Sequence, residues 1–251
     1  MRRLSARLFA SLLFVLAGIA PAHAEDLIVS AAASLTDAFK EIATGFEAAH
    51  AGAKIQFNFA ASGTLLQQIA KGAPVDVFAS ADLATMDRAQ SQGLIVVAER
   101  RNFAANTLVL IVPKGSARPA AIGDLAQPAY KRVAVGNPAS VPVGRYTQAA
   151  LTKAGLWGPL EPKLINAQSV RQVLDYVARS EVEAGFVYST DAAIMKDKVD
   201  VVLTVPLEEP VTYPIAPIAA STHSAMAKAF VDWVSGAQAQ AVLARYGFSK
   251  P

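Results

Sequence analysis

Apolar positions along the chain alternate between short unbroken runs and helical stripes. Leu27-Ile28-Val29 predicts a strand, and after Ala31-Ala32-Ala33-Ser34 the spacing predicts a helix from about Leu35 to His50, stopped at Gly52. Ile55, Phe57 and Phe59 alternate as a second strand, and Ala60-Ala61-Ser62-Gly63 then leads into a helix from Thr64 to Lys71. Val75-Asp76-Val77-Phe78 predicts a third strand, and Ser80-Ala81-Asp82 opens a helix that ends near Gly93. Strand and helix succeeding one another in this way predict a mostly parallel sheet with helices on its faces.

A longer extended run, Thr107 to Val112, ends this grammar, which then restarts. Val133-Ala134-Val135 predicts a strand, residues 137–144 a Pro-rich turn, and Arg145 to Ala154 a helix ended by Gly155. Ser169 and Gln172 form a capping box ahead of Val170, Val173, Leu174 and Val177. Further strands are expected over 184–188 and 201–205. Val211 to Ala219 is a second long extended segment, which Pro214 and Pro217 assign to a sheet edge or a hinge. One last helix is expected from about Ser224 to Arg245. One segment leaving and one returning predict two α/β lobes of mixed sheets flanked by helices, with the second inserted into the first. The expected division is 25–107 and 213–251 for lobe I and 108–212 for lobe II, joined by two crossing hinge segments. A ligand then belongs between the lobes, at the carboxyl ends of the strands.

Composition changes the picture mainly at the start. Arg2, Arg3 and Arg7 precede the apolar run Leu8 to Ala20 and the small-residue end Ala22-His23-Ala24, the pattern of a secretory signal peptide over residues 1–24, cleaved after Ala24. Its removal takes three of 23 Lys+Arg and none of 20 Asp+Glu, leaving 20 against 20. A chain of balanced charge lacks the electrostatic footprint that nucleic-acid binding requires. After the leader no apolar run approaches the roughly 18 residues that span a bilayer, so no membrane insertion is expected. The chain has no Cys, hence no disulfide, thiolate metal site or lipid-anchor cysteine, and a periplasmic location is expected. His50 and His223 lie far apart, with no second ligand at metal spacing.

The candidate chemistry lies at the strand ends. Ser34 and Ser62 follow strands and head helices, Ala81 lies at a third helix start, and Val141-Pro142 at a fourth. Any one of these serines is adequately explained as an ordinary helix cap. Four such termini at strand ends in both lobes offer more. Each presents unpaired N–H groups and the positive end of a helix dipole, and together they suit a small dianion without a cationic side chain. A fully deprotonated oxyanion only accepts hydrogen bonds, so its site should offer donors alone.

Several blocks carry a resemblance that covers essentially the whole chain after the leader: Ala31-Ala32-Ala33-Ser34-Leu35-Thr36-Asp37-Ala38, Phe59-Ala60-Ala61-Ser62-Gly63-Thr64-Leu65, the stretch from Gly72 to Asp82, Gly136-Asn137-Pro138-Ala139-Ser140-Val141-Pro142-Val143-Gly144-Arg145-Tyr146, Gly185-Phe186-Val187-Tyr188-Ser189-Thr190-Asp191-Ala192, and the closing Arg245-Tyr246-Gly247-Phe248. In these the chain resembles the periplasmic molybdate-binding proteins of molybdate ABC transporters. The resemblance implies the two-lobe periplasmic-binding-protein fold. It also implies high-affinity binding of molybdate and tungstate for delivery to an inner-membrane ABC permease, by a monomer with no enzymatic activity and no cofactor. It implies oxyanion contacts from the hydroxyls of Ser34, Ser62 and Tyr188 and from backbone at Ala81 and Val141, with the Ala32 amide beside Ser34. Some relatives carry a run of Ser where this chain has Ala60-Ala61-Ser62-Gly63, so that only Ser62 supplies a hydroxyl there.

The remaining polar residues have plainer readings. Arg145 beside the fourth loop is expected as a solvated helix arginine, and Asp37, Asp82 and Asp191 as first-turn carboxylates complementing helix dipoles. Tyr246 and Phe248 are expected to dock the last helix onto the first lobe. A serine hydrolase is disfavoured, because no Gly-x-Ser-x-Gly elbow is present and the neighbours His223 and Ser224 do not face each other on a helix. The alternative is a binding protein for another ligand, a small oxyanion such as sulfate or phosphate, or ferric ion. Phosphate would want one carboxylate acceptor, for which Asp82 is the nearby candidate, and ferric ion would want paired tyrosines.

Overall fold

The computed structural model describes residues 25–251, and the leader expected over 1–24 lies outside the described residues. The elements run β1 (Glu25–Ala32), α1 (Thr36–Ala49), β2 (Ala53–Ala60), α2 (Ser62–Ala70), β3 (Val77–Ala79), α3 (Leu83–Ser91), β4 (Arg101–Asn106) and β5 (Leu108–Pro113). They continue with β6 (Val133–Gly136), α4 (Pro142–Lys153), α5 (Trp157–Leu160), β7 (Leu164–Ala167), α6 (Val170–Ala178), β8 (Ala184–Tyr188), α7 (Ser189–Ile194), β9 (Val199–Thr204), β10 (Val211–Pro217), α8 (Ser224–Ser235) and α9 (Ala237–Arg245). They build two five-stranded sheets, ordered β2-β1-β3-β10-β4 and β7-β6-β8-β5-β9. In the first, β1 runs parallel to β2 and β3 while β10 is antiparallel to β3 and β4; in the second, β6 is parallel to β7 and β8 while β5 is antiparallel to β8 and β9. The result is the expected two-lobe α/β fold of mixed sheets. The chain passes between the sheets twice, at Thr107 and across residues 205–210.

Each lobe is closed by apolar helix faces. Phe39, Ile42 and Phe46 recur at helical spacing on α1 and are fully or almost fully buried, with Phe39 against Phe103 and Phe46 edge-on to Phe230 at 5.2 Å between ring centroids. In the second lobe Val173, Leu174 and Val177 of α6 are buried against the second sheet.

Three expectations differ from the structure. β10 lies inside its sheet, not at an edge. Pro214 is accommodated there because the pairing with β4 shifts register between Tyr213 and Pro214, where a bulge removes the need for a ladder N–H, and the Pro214 carbonyl still accepts from Ser80 N at 2.9 Å. The single final helix is two, α8 and α9, separated at Gly236, whose extended backbone (ψ 162°) ends one and starts the other. Finally β4, unmarked in the sequence pattern, pairs with β10 and forms the edge of the first sheet.

Candidate functional site

The carboxyl ends of β1, β2, β3, β6 and β8 converge on the cleft between the lobes. Ala32, Ser34, Ser62 and Ala81 from the first lobe and Val141 and Tyr188 from the second line one cavity, together with Ala33, Ala60, Ala61, Pro142, Val143 and Val170. All six residues expected from the sequence are thus brought together, across as many as 156 positions of chain. The cavity is small, about 10 Å³.

The helix starts reach the cavity by close backbone packing. Gly144, in the first turn of α4, lies so near the end of β6 that a Cβ there would stand 2.0 Å from the Gly136 carbonyl oxygen, and only glycine permits the approach. Gly63 of α2 approaches the opposite lobe, donating its N–H to Ser140 O at 3.0 Å. Neither Ser34 nor Ser62 caps a helix: Ser34 lies in a 3-10 turn over Ala33–Leu35, Ser62 is the first residue of α2, and no side-chain cap bond forms at either helix. The capping explanation for these serines is therefore replaced by placement in the cleft. Ser169, by contrast, does cap α6, accepting from Gln172 N at 3.2 Å.

The hydrogen-bond roles of the cavity groups differ. Tyr188 is 1% exposed, and its hydroxyl has no partner among the described residues. Burial, with Tyr213, Tyr146, Asp82 and Asp191 nearby, pushes its pKa well above the ordinary 10, so it stays a neutral donor. Ser62 Oγ accepts from Ala81 N at 3.0 Å, which directs the serine proton elsewhere. The Ala81 amide is thereby engaged by Ser62, and the Val141 amide donates to Asn137 O at 2.8 Å inside its own turn. Val143, in the first turn of α4, also lines the cavity, and its N–H has no intrahelical acceptor by geometry. Ser34 Oγ lies 3.0 Å from the Tyr213 hydroxyl.

Two arginines flank the cavity, each reaching from the second lobe to the first. Arg145 pairs with Asp82 at 2.6 Å and donates to Thr85 Oγ1 at 2.7 Å, so the expected solvated helix arginine is an inter-lobe clasp instead. Arg171 holds Asp191 at 2.6 Å and Asp37 at 2.8 Å. Burial works against the Arg171 charge, but Asp191 and Asp37 outweigh it and raise its pKa. Burial also pushes Asp191 up to about 6, in spite of Arg171. Arg171 was not singled out in the sequence; nothing local distinguishes it from any helix arginine, because both its partners lie on other elements. Asp82 N-caps α3 by accepting from Thr85 N at 3.2 Å, and with Arg145 on its other oxygen it is not a free acceptor for a ligand proton. At the opposite end of β3, His223 Nδ1 lies 3.1 Å from Asp76, which also accepts from Ser221 Oγ at 2.6 Å.

Set beside known proteins, residues 27–249 match the family described as bacterial extracellular solute-binding protein. The chain is 40% identical over 247 residues to the molybdate-binding protein ModA of Escherichia coli K12, covering 96% of this chain and 95% of that one. Among solved structures it resembles the periplasmic molybdate-binding protein of Azotobacter vinelandii with a TM-score of 0.77 and 25% identity, over 90% of this chain and 99% of the other. The sulfate-binding protein SubI of Mycobacterium tuberculosis shares the fold, with a TM-score of 0.78 at 19% identity over 90% and 86% of the two chains.

Proposed function

The chain belongs to the bacterial extracellular solute-binding protein family and groups there with the molybdate-binding proteins, and from that premise we propose that it captures molybdate, and tungstate with it, in the periplasm and delivers the anion to an ABC permease of the inner membrane. It is a binding protein, not an enzyme. The observation that carries the reading is the Tyr188 hydroxyl, a buried donor with no partner among the described residues, in the cavity lined by Ser34 and Ser62. A buried polar group left unpaired costs about 1–3 kcal/mol, and an anion accepting from it removes that cost. The hydroxyls of Ser34, Ser62 and Tyr188 and the amide of Val143 form a cage of neutral donors, whose wall Ala32, Ala81 and Val141 complete by contact. Each charge-assisted bond contributes roughly 1.5–3 kcal/mol net, so a handful suffices for submicromolar binding, about 8–12 kcal/mol, without a cation in contact. Molybdate and sulfate carry the same charge, so their discrimination rests on the size of the closed cavity.

The lobes, 25–107 with 213–251 and 108–212, close on the anion by bending at the two crossings, and the monomer is the functional unit. Small-angle scattering with and without molybdate tests this: a smaller radius of gyration is expected with ligand, and an identical value at saturation overturns hinge closure. The assignment of ligand is tested by calorimetry and thermal shift on ligand-stripped protein with molybdate, tungstate, sulfate and phosphate. Molybdate and tungstate are expected to bind tightly and sulfate and phosphate weakly. Stabilisation by sulfate or phosphate alone overturns the assignment.

A further inference from the structure

Asn106, at the end of β4 beside the first crossing, does not reach the cavity, yet its amide orientation is fixed from both sides. Its Oδ1 accepts from Thr107 N at 2.9 Å and from Ser189 Oγ at 3.0 Å. A backbone N–H can only donate, so the opposite atom is Nδ2, which donates to Thr190 Oγ1 at 2.9 Å and to the Tyr213 hydroxyl at 3.2 Å. Tyr213 OH thereby accepts from Asn106. Its proton then has the Ser34 Oγ, 3.0 Å away, as its acceptor. Ser34, accepting from Tyr213, has its own proton left for the cavity that it lines. The Tyr213 ring is fully buried and held edge-on by Phe248 at 5.4 Å and Phe103 at 6.3 Å between centroids, so this chain of bonds cannot swing aside.

We propose that Asn106 and Tyr213 are positioning residues of the anion site: the one-way relay from Asn106 Nδ2 through Tyr213 OH to Ser34 Oγ makes Ser34 an obligate donor to the ligand and so biases the site toward fully deprotonated oxyanions over those that carry a proton. This rests on the oxyanion reading above and adds to it a source of selectivity other than cavity size. Without the relay a serine hydroxyl rotates and offers either a proton or a lone pair. A protonated oxyanion, such as phosphate near neutral pH, gains from the lone pair; molybdate does not.

The substitution Asn106→Asp reverses the relay with little change of shape. The carboxylate keeps the acceptor role toward Thr107 and Ser189 but turns an acceptor toward Tyr213, which must now donate to it. Tyr213 then accepts from Ser34, and Ser34 faces the anion with a lone pair. At pH 7.5 N106D should lose roughly ten- to hundredfold in molybdate affinity, the loss of one charge-assisted bond, while the molybdate-to-phosphate preference falls by at least as much. The new charge alone would also weaken molybdate binding. The double variant N106D/Y213F separates the two effects: it keeps the charge, cuts the relay and frees Ser34, so most of the lost affinity should return. Y213F alone should bind within about fivefold of the parent, less than one full hydrogen bond. N106D within threefold of the parent, or N106D/Y213F as weak as N106D, overturns the relay.

A parent that binds sulfate and not molybdate overturns only the choice of ligand, and the same variants titrated with sulfate then test the relay. A parent that binds none of the three anions overturns both. Should N106D fail to fold, neutron diffraction from the deuterated parent gives the answer without a variant. A Tyr213 deuteron on the Ser34 side supports the relay, and one on the Asn106 side overturns it.

Discussion

Gly63→Ala tests how the two lobes meet over the cavity. Gly63 N donates to Ser140 O across the cleft at 3.0 Å, and a Cβ on Gly63 would stand 2.5 Å from that oxygen and 2.9 Å from the Ser140 Cα. Ordinary contact between heavy atoms begins near 3.5 Å, so the lobes must part by about 1 Å at this point. The neighbour is backbone, held by the turn in which Ser140 N and Val141 N both donate to Asn137 O, and it cannot rotate away as a side chain would. The closed form loses the Gly63–Ser140 bond, about 0.5–1.5 kcal/mol, and stretches at least one charge-assisted bond from the facing lobe to the anion, about 1.5–3 kcal/mol. Together these amount to about 2–4 kcal/mol, or roughly 30- to 1000-fold in Kd. The empty protein should not suffer, because alanine is the better helix former by about 1 kcal/mol and each lobe keeps its own core. Calorimetry with molybdate and thermal unfolding of the ligand-free variant are the assays. Binding within threefold of the parent at equal melting temperature would refute the argument that the lobes must close to this distance.

Tyr188→Phe removes a hydroxyl that has no partner among the described residues; the ligand-free variant should be as stable as the parent or more so while molybdate binding weakens about ten- to hundredfold, and a destabilised variant with unchanged affinity would give Tyr188 a structural role instead. Ser34→Ala and Ser62→Ala should each weaken binding by roughly 1.5–3 kcal/mol in isothermal titrations, and values within twofold of the parent for both would move the site elsewhere. Asp191 titrates near 6 in the fold against an ordinary 3.8, so the stability that it contributes is complete below 3.8 and is lost as pH rises through about 6. The parent should therefore gain stability relative to Asp191→Asn between pH 7 and 4 in urea unfolding, and a flat or opposite difference curve would contradict the burial argument. With Tyr188 held neutral by burial, molybdate affinity should be level from about pH 7 to 9, and a tenfold fall across that range would point to a titrating group in contact with the anion.

The sequence by itself carried whatever depends on near neighbours. Alternating apolar runs and helical stripes determined the strand–helix units, and the small residues after β1, β2, β3 and β6 determined that helical turns would start at strand ends. Ser34 and Ser62 stood out as residues that follow strands and head helices, whereas Tyr188 stood out only through the family resemblance; the structure brings all three to one cavity. What those residues do for one another was not legible. The Ser34–Tyr213 contact joins positions 179 apart, Arg171–Asp37 134 apart and Arg145–Asp82 63 apart. Periodicity has no term for such pairs; they exist because two sheets stack their strand ends face to face across a cleft. For the same reason Asn106 looked like the end of an unremarked segment, and Pro214 looked barred from a sheet interior until a bulge relieved it. Which serine hydroxyl is a donor, and which backbone amide is already engaged, is decided by the geometry of partners from distant parts of the chain. A hydrogen bond falls off within a few tenths of an ångström, and only the packed tertiary structure sets distances to that tolerance.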